Sequence, residues 1–138
     1  MMIIRLKEGE VNNYLEIDEN IFKLDSENNY KNEDIYILHH PNVEEAKISF
    51  GNGIEKVNDN DYDIKHFCHT EPGSSGGPIL SKKTNKVIGI HKGSIGKYGK
   101  CAYNIGTFLK FPLNELKNQN KPKENFLKVS KNNNYYLI

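Results

Sequence analysis

Short apolar segments, several of them with alternating polarity, recur along most of this chain and are separated by residues typical of turns. β-Branched and aromatic side chains are frequent in these segments, and proline, glycine or asparagine follows most of them. The predicted strands are residues 35–39, 46–50, 62–68, 78–80, 87–91 and 101–110. About six short strands at spacings of about 8–12 residues are typical of an antiparallel barrel. The sequence therefore predicts an all-β fold.

The segments before the first of these strands are more polar. Residues 2–7 predict a further short strand, whereas residues 14–24 mix apolar and acidic positions without a helical period. We expect residues 14–24 to form an extended or singly turned connector. Residues 25–34 are almost wholly polar and predict a solvated loop.

A short helix is predicted over residues 112–117, because proline is favoured in the first turn of a helix. From residue 118 onward the chain is polar and rich in asparagine and lysine, up to an apolar end at residues 135–138. The predicted organisation is a leading strand with a connector, a barrel, and a polar tail of unknown role: residues 1–33, 34–117 and 118–138.

The composition argues against some classes of partner. A chain of 138 residues is one ordinary domain, and its net charge of +1 gives no reason to expect a nucleic acid or an acidic membrane as partner. No stretch approaches the roughly 20 apolar residues of a membrane span. The start of the chain does not resemble a secretory signal. Cys68 and Cys101 are expected to be free thiols, which favours the cytoplasm for the chain as given but leaves its localisation undetermined.

A loop dense in glycine, proline and serine follows the third predicted strand, at residues 69–78 (H-T-E-P-G-S-S-G-G-P). Glycine permits positive φ and close backbone approach, so this loop can hold Ser75 on a sharp turn. The N–H groups of Gly73 and Ser75 can then point toward one spot. A serine beside two converging N–H groups supplies the nucleophile and the oxyanion hole that acyl transfer requires. A flexible linker or a plain turn would have the same composition.

Four separate motifs resemble those of one protein family and occur in the family's order. Residues 73–78 are similar to the G-D-S-G-G-P signature of trypsin-like (chymotrypsin-fold) serine proteases. Residues 86–93 are similar to the V-I-G-I-H-x-G strand of their glutamyl-endopeptidase (V8-like) branch. The remaining motifs resemble the opening hairpin of that family's C-terminal barrel and its last strand with the closing helix: residues 35–41 with 47–51, and residues 103–108 with 112–116.

The resemblance implies a fold and a reaction. The fold would be a six-stranded antiparallel Greek-key barrel, the C-terminal half of the double-barrel trypsin-like fold, with a short C-terminal helix. The reaction would be serine-type endopeptidase hydrolysis of a peptide or protein substrate, with Ser75 as the nucleophile. Gly73 and Ser75 would supply the N–H groups of the oxyanion hole, and no metal or cofactor is expected.

The resemblance also implies where a substrate would lie. Lys92, Gly93 and Ser94 match the backbone edge that pairs with an extended substrate. Thr70 and His91 match the two positions that contact a P1 carboxylate in glutamyl endopeptidases. A hydroxyl and an imidazole can both donate hydrogen bonds to a carboxylate, and the charge strengthens those bonds. We therefore expect an acidic P1 preference.

Two departures from the family pattern are visible. Ser74 stands where most members have an aspartate, which V8-like members also lack, so activation by burial of a new N-terminus has no counter-charge. The triad histidine and aspartate belong to a first barrel, and residues 2–7 resemble the strand that follows the triad aspartate. We therefore expect both residues to lie outside this sequence and the chain to be inactive alone. A missing N-terminal barrel, or self-association, is the expected protein partner.

Several alternatives stay open. His66 or His69 could form a local dyad with Ser75, although both are expected on the wrong side of the serine, and His39 and His40 are expected at the surface or the barrel end. A zinc site built on His66, Cys68, His69 and Cys101 would lack the usual ligand spacing, so the cysteines are expected to pack as small apolar side chains. A non-catalytic homologue that binds peptides, or an anion-binding module that uses the glycine-rich turn, would explain the loop without catalysis.

Overall fold

The computed structural model describes residues 13–52, 54–56, 62–97, 100–119 and 136–137. Most of its regular structure is β. In chain order the elements are β1 (Leu15–Glu16), a 3₁₀ turn (Glu19–Phe22), α1 (Ser26–Asn29), β2 (Asp34–His39), a second 3₁₀ turn (Pro41–Val43), β3 (Lys47–Asn52), β4 (Glu55–Lys56), β5 (Asp63–His66), β6 (Pro78–Ser81), β7 (Val87–Lys97), β8 (Lys100–Phe108), α2 (Lys110–Gln119) and β9 (Tyr136–Leu137).

The main sheet is antiparallel and has the strand order β3-β2-β6-β7-β8-β5-β4. Its two outer members, β3 and β4, are consecutive in the chain and are separated only by residues 53–54. The chain therefore runs directly from one edge of the sheet to the other and closes it. With β3 and β4 counted as one bent strand, six strands form the barrel, so the predicted fold class is confirmed.

The alternation of apolar residues along the strands builds the barrel interior. In β2, Ile35 and Ile37 are fully buried, whereas Tyr36 and Leu38, which alternate with them, are partly exposed. The other strands contribute large, fully buried side chains to the same interior, namely Ile64, Ile79, Leu80, Val87, Ile88 and Phe108. Cys68 is 0% exposed in this core, so its predicted role as a small apolar side chain is confirmed.

The connector before β2 packs onto the barrel. Ile17 forms an isolated bridge with Val87, and the Asp18 N–H donates to the Val87 carbonyl at 2.9 Å. Ile21 in the first 3₁₀ turn is fully buried, and the Asp18 side chain accepts from the Asn20 N–H at the start of that turn. Residues 14–24 thus contain one short strand and one 3₁₀ turn, in agreement with the expected extended or singly turned backbone.

The prediction of a solvated loop over residues 25–34 is wrong in part. This segment contains α1, and both Ser26 and Tyr30 are buried. The Tyr30 ring meets the Phe108 ring edge to face, with centroids 5.8 Å apart. A polar segment can therefore still anchor itself through one aromatic side chain.

The predicted C-terminal helix is confirmed and is longer than expected. It spans Lys110–Gln119 and packs Leu113 and Phe111 against the core. Tyr62 stacks on Phe111, with ring centroids 4.9 Å apart. In the tail, β9 pairs antiparallel with β1, whereas the strand predicted at residues 2–7 lies outside the described residues. In the described part of the chain, no helix is long and apolar enough to cross a membrane.

Substitution of Gly106 on β8 tests how closely the neighbouring strands pack. A Cβ at Gly106 would lie 2.5 Å from Ile79 Cδ1 and 2.7 Å from the Ile90 carbonyl oxygen on β7. Because the second contact is with backbone, the two strands must move apart. We expect Gly106→Ala to lower the free energy of unfolding by about 1–3 kcal/mol, as measured by urea denaturation. Gly93→Ala in the same strand pair is the control, since a Cβ there meets nothing within 4 Å; equal losses in both variants would contradict the prediction.

Candidate active site

The serine loop, residues 69–77, lies between β5 and β6 and carries the predicted nucleophile. Gly73 and Gly76 in this loop have φ angles of +92° and +90°, which side chains other than glycine rarely adopt. A Cβ at Gly73 would also lie 2.9 Å from the His40 carbonyl oxygen. Glycine is therefore required at both positions to form the sharp turn around Ser75.

The backbone of His91 holds the C-terminal half of the serine loop. Its N–H donates to the Gly77 carbonyl at 2.9 Å, and its carbonyl accepts the Gly76 N–H at 2.8 Å. His91 lies within β7 and is paired on its other side with Gly106 of β8. The serine loop is thus attached directly to the barrel sheet.

Ser75 lies exposed on this loop, and its Oγ donates to the Lys92 carbonyl at 2.8 Å. The register of β7 against β8 shifts between His91 and Gly93, which leaves Lys92 in a β-bulge. The carbonyl of this bulged residue orients the serine hydroxyl. It does not act as a general base, because a neutral carbonyl takes no proton at ordinary pH.

The predicted oxyanion hole consists of two backbone N–H groups, one on each side of Ser74 in the sequence. Those of Gly73 and Ser75 make no hydrogen bond within the described residues. The N–H groups of Ser74, Gly76 and Gly77 all donate to backbone carbonyls. The loop therefore leaves unpaired the two donors that a developing oxyanion would need.

The second half of β7 presents an open backbone edge beside Ser75. The pairing of β6 with β7 ends at Pro78 and Ile90. From Gly93 onward, the edge of β7 that faces away from β8 has no strand partner among the residues that the structure describes. An extended peptide can add to such an edge through main-chain hydrogen bonds.

Beneath the serine loop lies a buried contact that the sequence did not indicate. His39 was expected at the surface or the barrel end, but it is only 4% exposed. Its Nδ1 lies 2.7 Å from Ser74 Oγ, and its Nε2 lies 2.8 Å from Ser49 Oγ. His39 therefore connects β2, β3 and the serine loop. The alternation of side chains along β2 could have predicted that His39 is buried, since His39 lies on the same inward face as Ile35 and Ile37.

The hydrogen bonds around His39 are compatible with a neutral imidazole that carries its proton on Nε2. Ser74 Oγ accepts the Glu71 N–H at 3.1 Å, so its own proton can be donated to His39 Nδ1. The His39 Nε2–H then donates to Ser49 Oγ. Burial lowers the pKa of His39, which favours this neutral imidazole. The position occupied by an aspartate in most trypsin-like proteases thus holds a neutral serine–histidine pair.

Thr70, which was predicted to contact P1, and Ser94, which was predicted to belong to the substrate-pairing edge, both bond Asn104 of β8. The Thr70 hydroxyl donates to Asn104 Oδ1 at 2.9 Å, and the Ser94 hydroxyl donates to the same oxygen at 2.6 Å. The Asn104 Nδ2 group donates to the Cys68 carbonyl at 2.6 Å. The structure therefore brings Thr70 and Ser94 together, and it adds Asn104, which sequence reasoning missed.

The His91 side chain points into the barrel and pairs with a second histidine. His91 Nδ1 lies 3.0 Å from His66 Nε2, and the two residues are 3% and 0% exposed. Burial lowers the pKa of His91, and a hydrogen bond with the Ile105 backbone opposes the shift in part. Burial and the neighbouring His91 lower the pKa of His66 to about 3. Both imidazoles are therefore neutral near pH 7.

A family profile for the trypsin-like peptidase domain matches residues 14–90, more than half of the chain. The chain belongs to the trypsin-like peptidase domain family. The matched range includes the connector, the opening strands of the barrel and the whole serine loop. No curated protein sequence matches the chain.

In this trypsin-like peptidase domain, none of the five histidines is hydrogen-bonded to Ser75. All five lie in the described part of the chain and have other neighbours. His40 Nδ1 bonds the Glu44 carbonyl, and His69 Nε2 lies 3.5 Å from a Glu71 carboxylate oxygen. His39 bonds two serines, and the remaining two histidines bond each other. The alternative of a local Ser–His dyad therefore has no support in this geometry.

The alternative of a zinc site concerns His66, Cys68, His69 and Cys101. Among the described residues, no three histidine, cysteine, aspartate or glutamate side chains are grouped so that they could hold a metal ion. The Cys101 side chain, a member of the proposed zinc set, lies outside the described part.

The buried histidines make stability depend on pH. The unfolded His66 has a pKa of about 6.5 and the folded one about 3, so the unfolded chain takes up the proton first as the pH falls. The free energy of unfolding should therefore fall by about 2 kcal/mol from this residue alone between about pH 7.5 and about pH 5. Urea denaturation of His66→Gln, which retains a donor without titrating, should show a smaller loss. Parallel pH curves for the two proteins would contradict this assignment.

The Ser74–His39 contact can be tested against the adjacent exposed serine. Ser74→Ala leaves the buried His39 Nδ1 without its donor, so we expect a loss of about 1–3 kcal/mol in the free energy of unfolding. Ser75→Ala removes the same hydroxyl from an exposed site and should change stability by less than about 0.5 kcal/mol. In a His39→Phe background, the loss from Ser74→Ala should shrink. An undiminished loss in that background would show that the contact is not the cause.

Proposed function

We propose that this chain carries the nucleophile and the oxyanion hole of a serine-type endopeptidase. The observation that carries the proposal is the serine loop itself, in which exposed Ser75 adjoins an open edge of β7 and the N–H groups of Gly73 and Ser75 are unbonded within the described residues. An extended peptide paired with residues 92–94 would lie across this loop. Its scissile carbonyl could then approach Ser75.

The proposed reaction follows from these positions. Ser75 Oγ attacks the carbonyl carbon, its proton passes to a general base, and the Gly73 and Ser75 N–H groups stabilise the oxyanion that forms. The five histidines already have other neighbours, so we propose that the base and its orienting carboxylate come from outside the described residues. Without a base, an oxyanion hole with its binding site retains only about 10³–10⁴-fold acceleration over water.

The contacts in the structure limit the identity of the P1 residue less than they limit the role of Ser75. An acidic P1 side chain stays a hypothesis, and it rests on Thr70 and His91 as hydrogen-bond donors. Thr70 already donates to Asn104, and His91 is neutral and already bonded to His66. A P1 carboxylate would have to replace existing acceptors at both residues. We therefore limit the proposal to a polar P1 side chain, and assignment to the V8-like branch stays a prediction.

A non-catalytic peptide-binding role is the second candidate. It is favoured by the hydrogen bond of Ser75 Oγ to a backbone carbonyl, which leaves the hydroxyl unactivated. In that case the open edge of β7 would bind a peptide without cleaving it.

Labelling by a fluorophosphonate separates these two functions. We expect the protein expressed from its natural gene to react at Ser75, and the adduct to be located by mass spectrometry of the peptide that contains residues 74 and 75. The buried Ser74, which is 1% exposed, should stay unmodified. Ser75→Ala should abolish the label. Absence of any label in the unsubstituted protein would reject the endopeptidase and favour the peptide-binding role.

A further inference from the structure

One edge of the main sheet is open at β3. This strand pairs with β2 on one side, whereas the pairing with β5 that closes the barrel is made by β4. Residues 47–50 therefore have no strand partner on their other side in the part of the chain that the structure describes. Unpaired backbone N–H and C=O groups along such an edge can pair with a strand of another molecule.

The outward face of this open strand is apolar. Ile48 and Phe50 are 55% and 64% exposed. They pair with Leu38 and Tyr36 of β2, and the Phe50 and Tyr36 rings have their centroids 5.9 Å apart. Charged side chains usually protect an edge strand from association, but the only charged residue of β3 is Lys47 at its first position.

A third exposed apolar side chain adjoins the strand. Phe67 is 52% exposed, and a Cβ at Gly51 of β3 would lie 2.7 Å from the Phe67 carbonyl carbon. We call Ile48, Phe50 and Phe67 the β3 patch. Because an aromatic side chain can bury about 150–250 Å², the exposed parts of these three side chains amount to roughly 300 Å². Apolar patches of about 300–600 Å² on a protein surface often mark a binding site.

A charged pair lies at each end of β3. At its start, the Lys47 ammonium lies 2.8 Å from a Glu44 carboxylate oxygen. At its end, where Asn52 pairs with Asp34, the Asp34 carboxylate lies 3.2 Å from the Lys82 ammonium. All four charged side chains are more than half exposed. Each end of the strand therefore offers one carboxylate and one ammonium to another molecule.

This distribution of charge is complementary to itself. When a strand pairs antiparallel with its own copy about a two-fold axis, the start of each strand lies beside the end of the other. The ion pair at the start of β3 in one copy then faces the ion pair at the end of β3 in the other, so carboxylates and ammonium groups can alternate across the interface. A partner with charges of one sign would instead meet a like charge at both ends.

We propose that β3 is the interface of a homodimer, in which two copies of this chain pair antiparallel along residues 47–50 and cover the β3 patch. Roughly 300 Å² of apolar surface per copy is less than the roughly 800 Å² per partner of a stable complex. The dimer is therefore weak, with an expected dissociation constant on the order of 10–100 µM. It leaves the open edge of β7 free and does not depend on the proposed function.

Sedimentation velocity of the full chain at increasing concentration tests this inference. We expect the average sedimentation coefficient to rise from that of a monomer to that of a dimer. Growth beyond a dimer would overturn the inference, because a two-fold pairing of one edge is closed.

Hydrogen exchange identifies what covers the edge. Those backbone N–H groups of residues 47–50 that do not bond β2 should exchange more slowly at the higher concentrations. A monomer at every concentration would overturn the inference. Slow exchange in that monomer would show that another part of the chain covers the edge, and rapid exchange would show that nothing covers it.

Lysine substitutions connect the dimer to the β3 patch. Phe50→Lys brings two like charges together across the two-fold axis, so the dissociation constant should rise at least about tenfold. Ile48→Lys should have the same effect, which keeps the inference testable if one variant folds poorly. Both side chains are more than half exposed, so the melting temperatures of the monomers should change little.

Leu24→Lys and Ile95→Lys are the matched controls. Leu24 is 89% exposed outside the β3 patch, and Ile95 is 41% exposed on β7. Both variants add the same charge in place of an exposed aliphatic side chain, and we expect both to keep the dissociation constant of the unsubstituted chain. Loss of the dimer in Ile95→Lys but not in Phe50→Lys would assign the interface to β7 and overturn the inference. Equal weakening in all four variants would show an effect of net charge alone and would also overturn it.

Discussion

Closure of the sheet is the constraint on which the rest of this molecule depends. Because β3 runs into β4 across residues 53–54, the same stretch of chain pairs with β2 at one end and with β5 at the other. Every strand of the barrel then has a partner on each side along at least part of its length, and the inward face of each strand lies in one core. Close approach at this corner is visible at Gly51, where a Cβ would lie 2.5 Å from the Cys68 backbone nitrogen. A side chain there would separate the strand from the start of the segment that leads to the serine loop.

The site is built where this regular pairing ends. At His91 the edge of β7 stops pairing with β6 and begins to hold the serine loop, and one residue later a bulge directs the Lys92 carbonyl to Ser75. A bulge changes the direction of a backbone group without interrupting the strand, which explains why such irregularities suit positions next to reactive residues. The open edge and Ser75 of the proposed site therefore both adjoin this one irregularity in β7.

Buried polar side chains that are hydrogen-bonded to one another fix the geometry around the serine loop. His39 bonds two serines, His66 bonds His91, and Asn104 bonds two hydroxyls and a carbonyl. A buried polar group is costly unless it is paired, so each of these contacts accepts few alternative geometries. Burial also keeps the histidines neutral. The surroundings of the serine loop are therefore specified largely by uncharged hydrogen bonds, where most trypsin-like proteases have a carboxylate before the nucleophile.

The sequence by itself determined the strand pattern, the barrel, the closing helix and the serine loop, since all of these rest on local alternation, turn residues and the conformational freedom of glycine. It also singled out Ser75, Gly73, Thr70, His91 and residues 92–94. It did not reveal the contacts of His39, His66 and Asn104, which connect residues 10 to 36 positions apart along the chain. Only the tertiary structure decided those contacts, because strand register sets which polar side chains meet inside a barrel, and register depends on the pairing of the whole sheet.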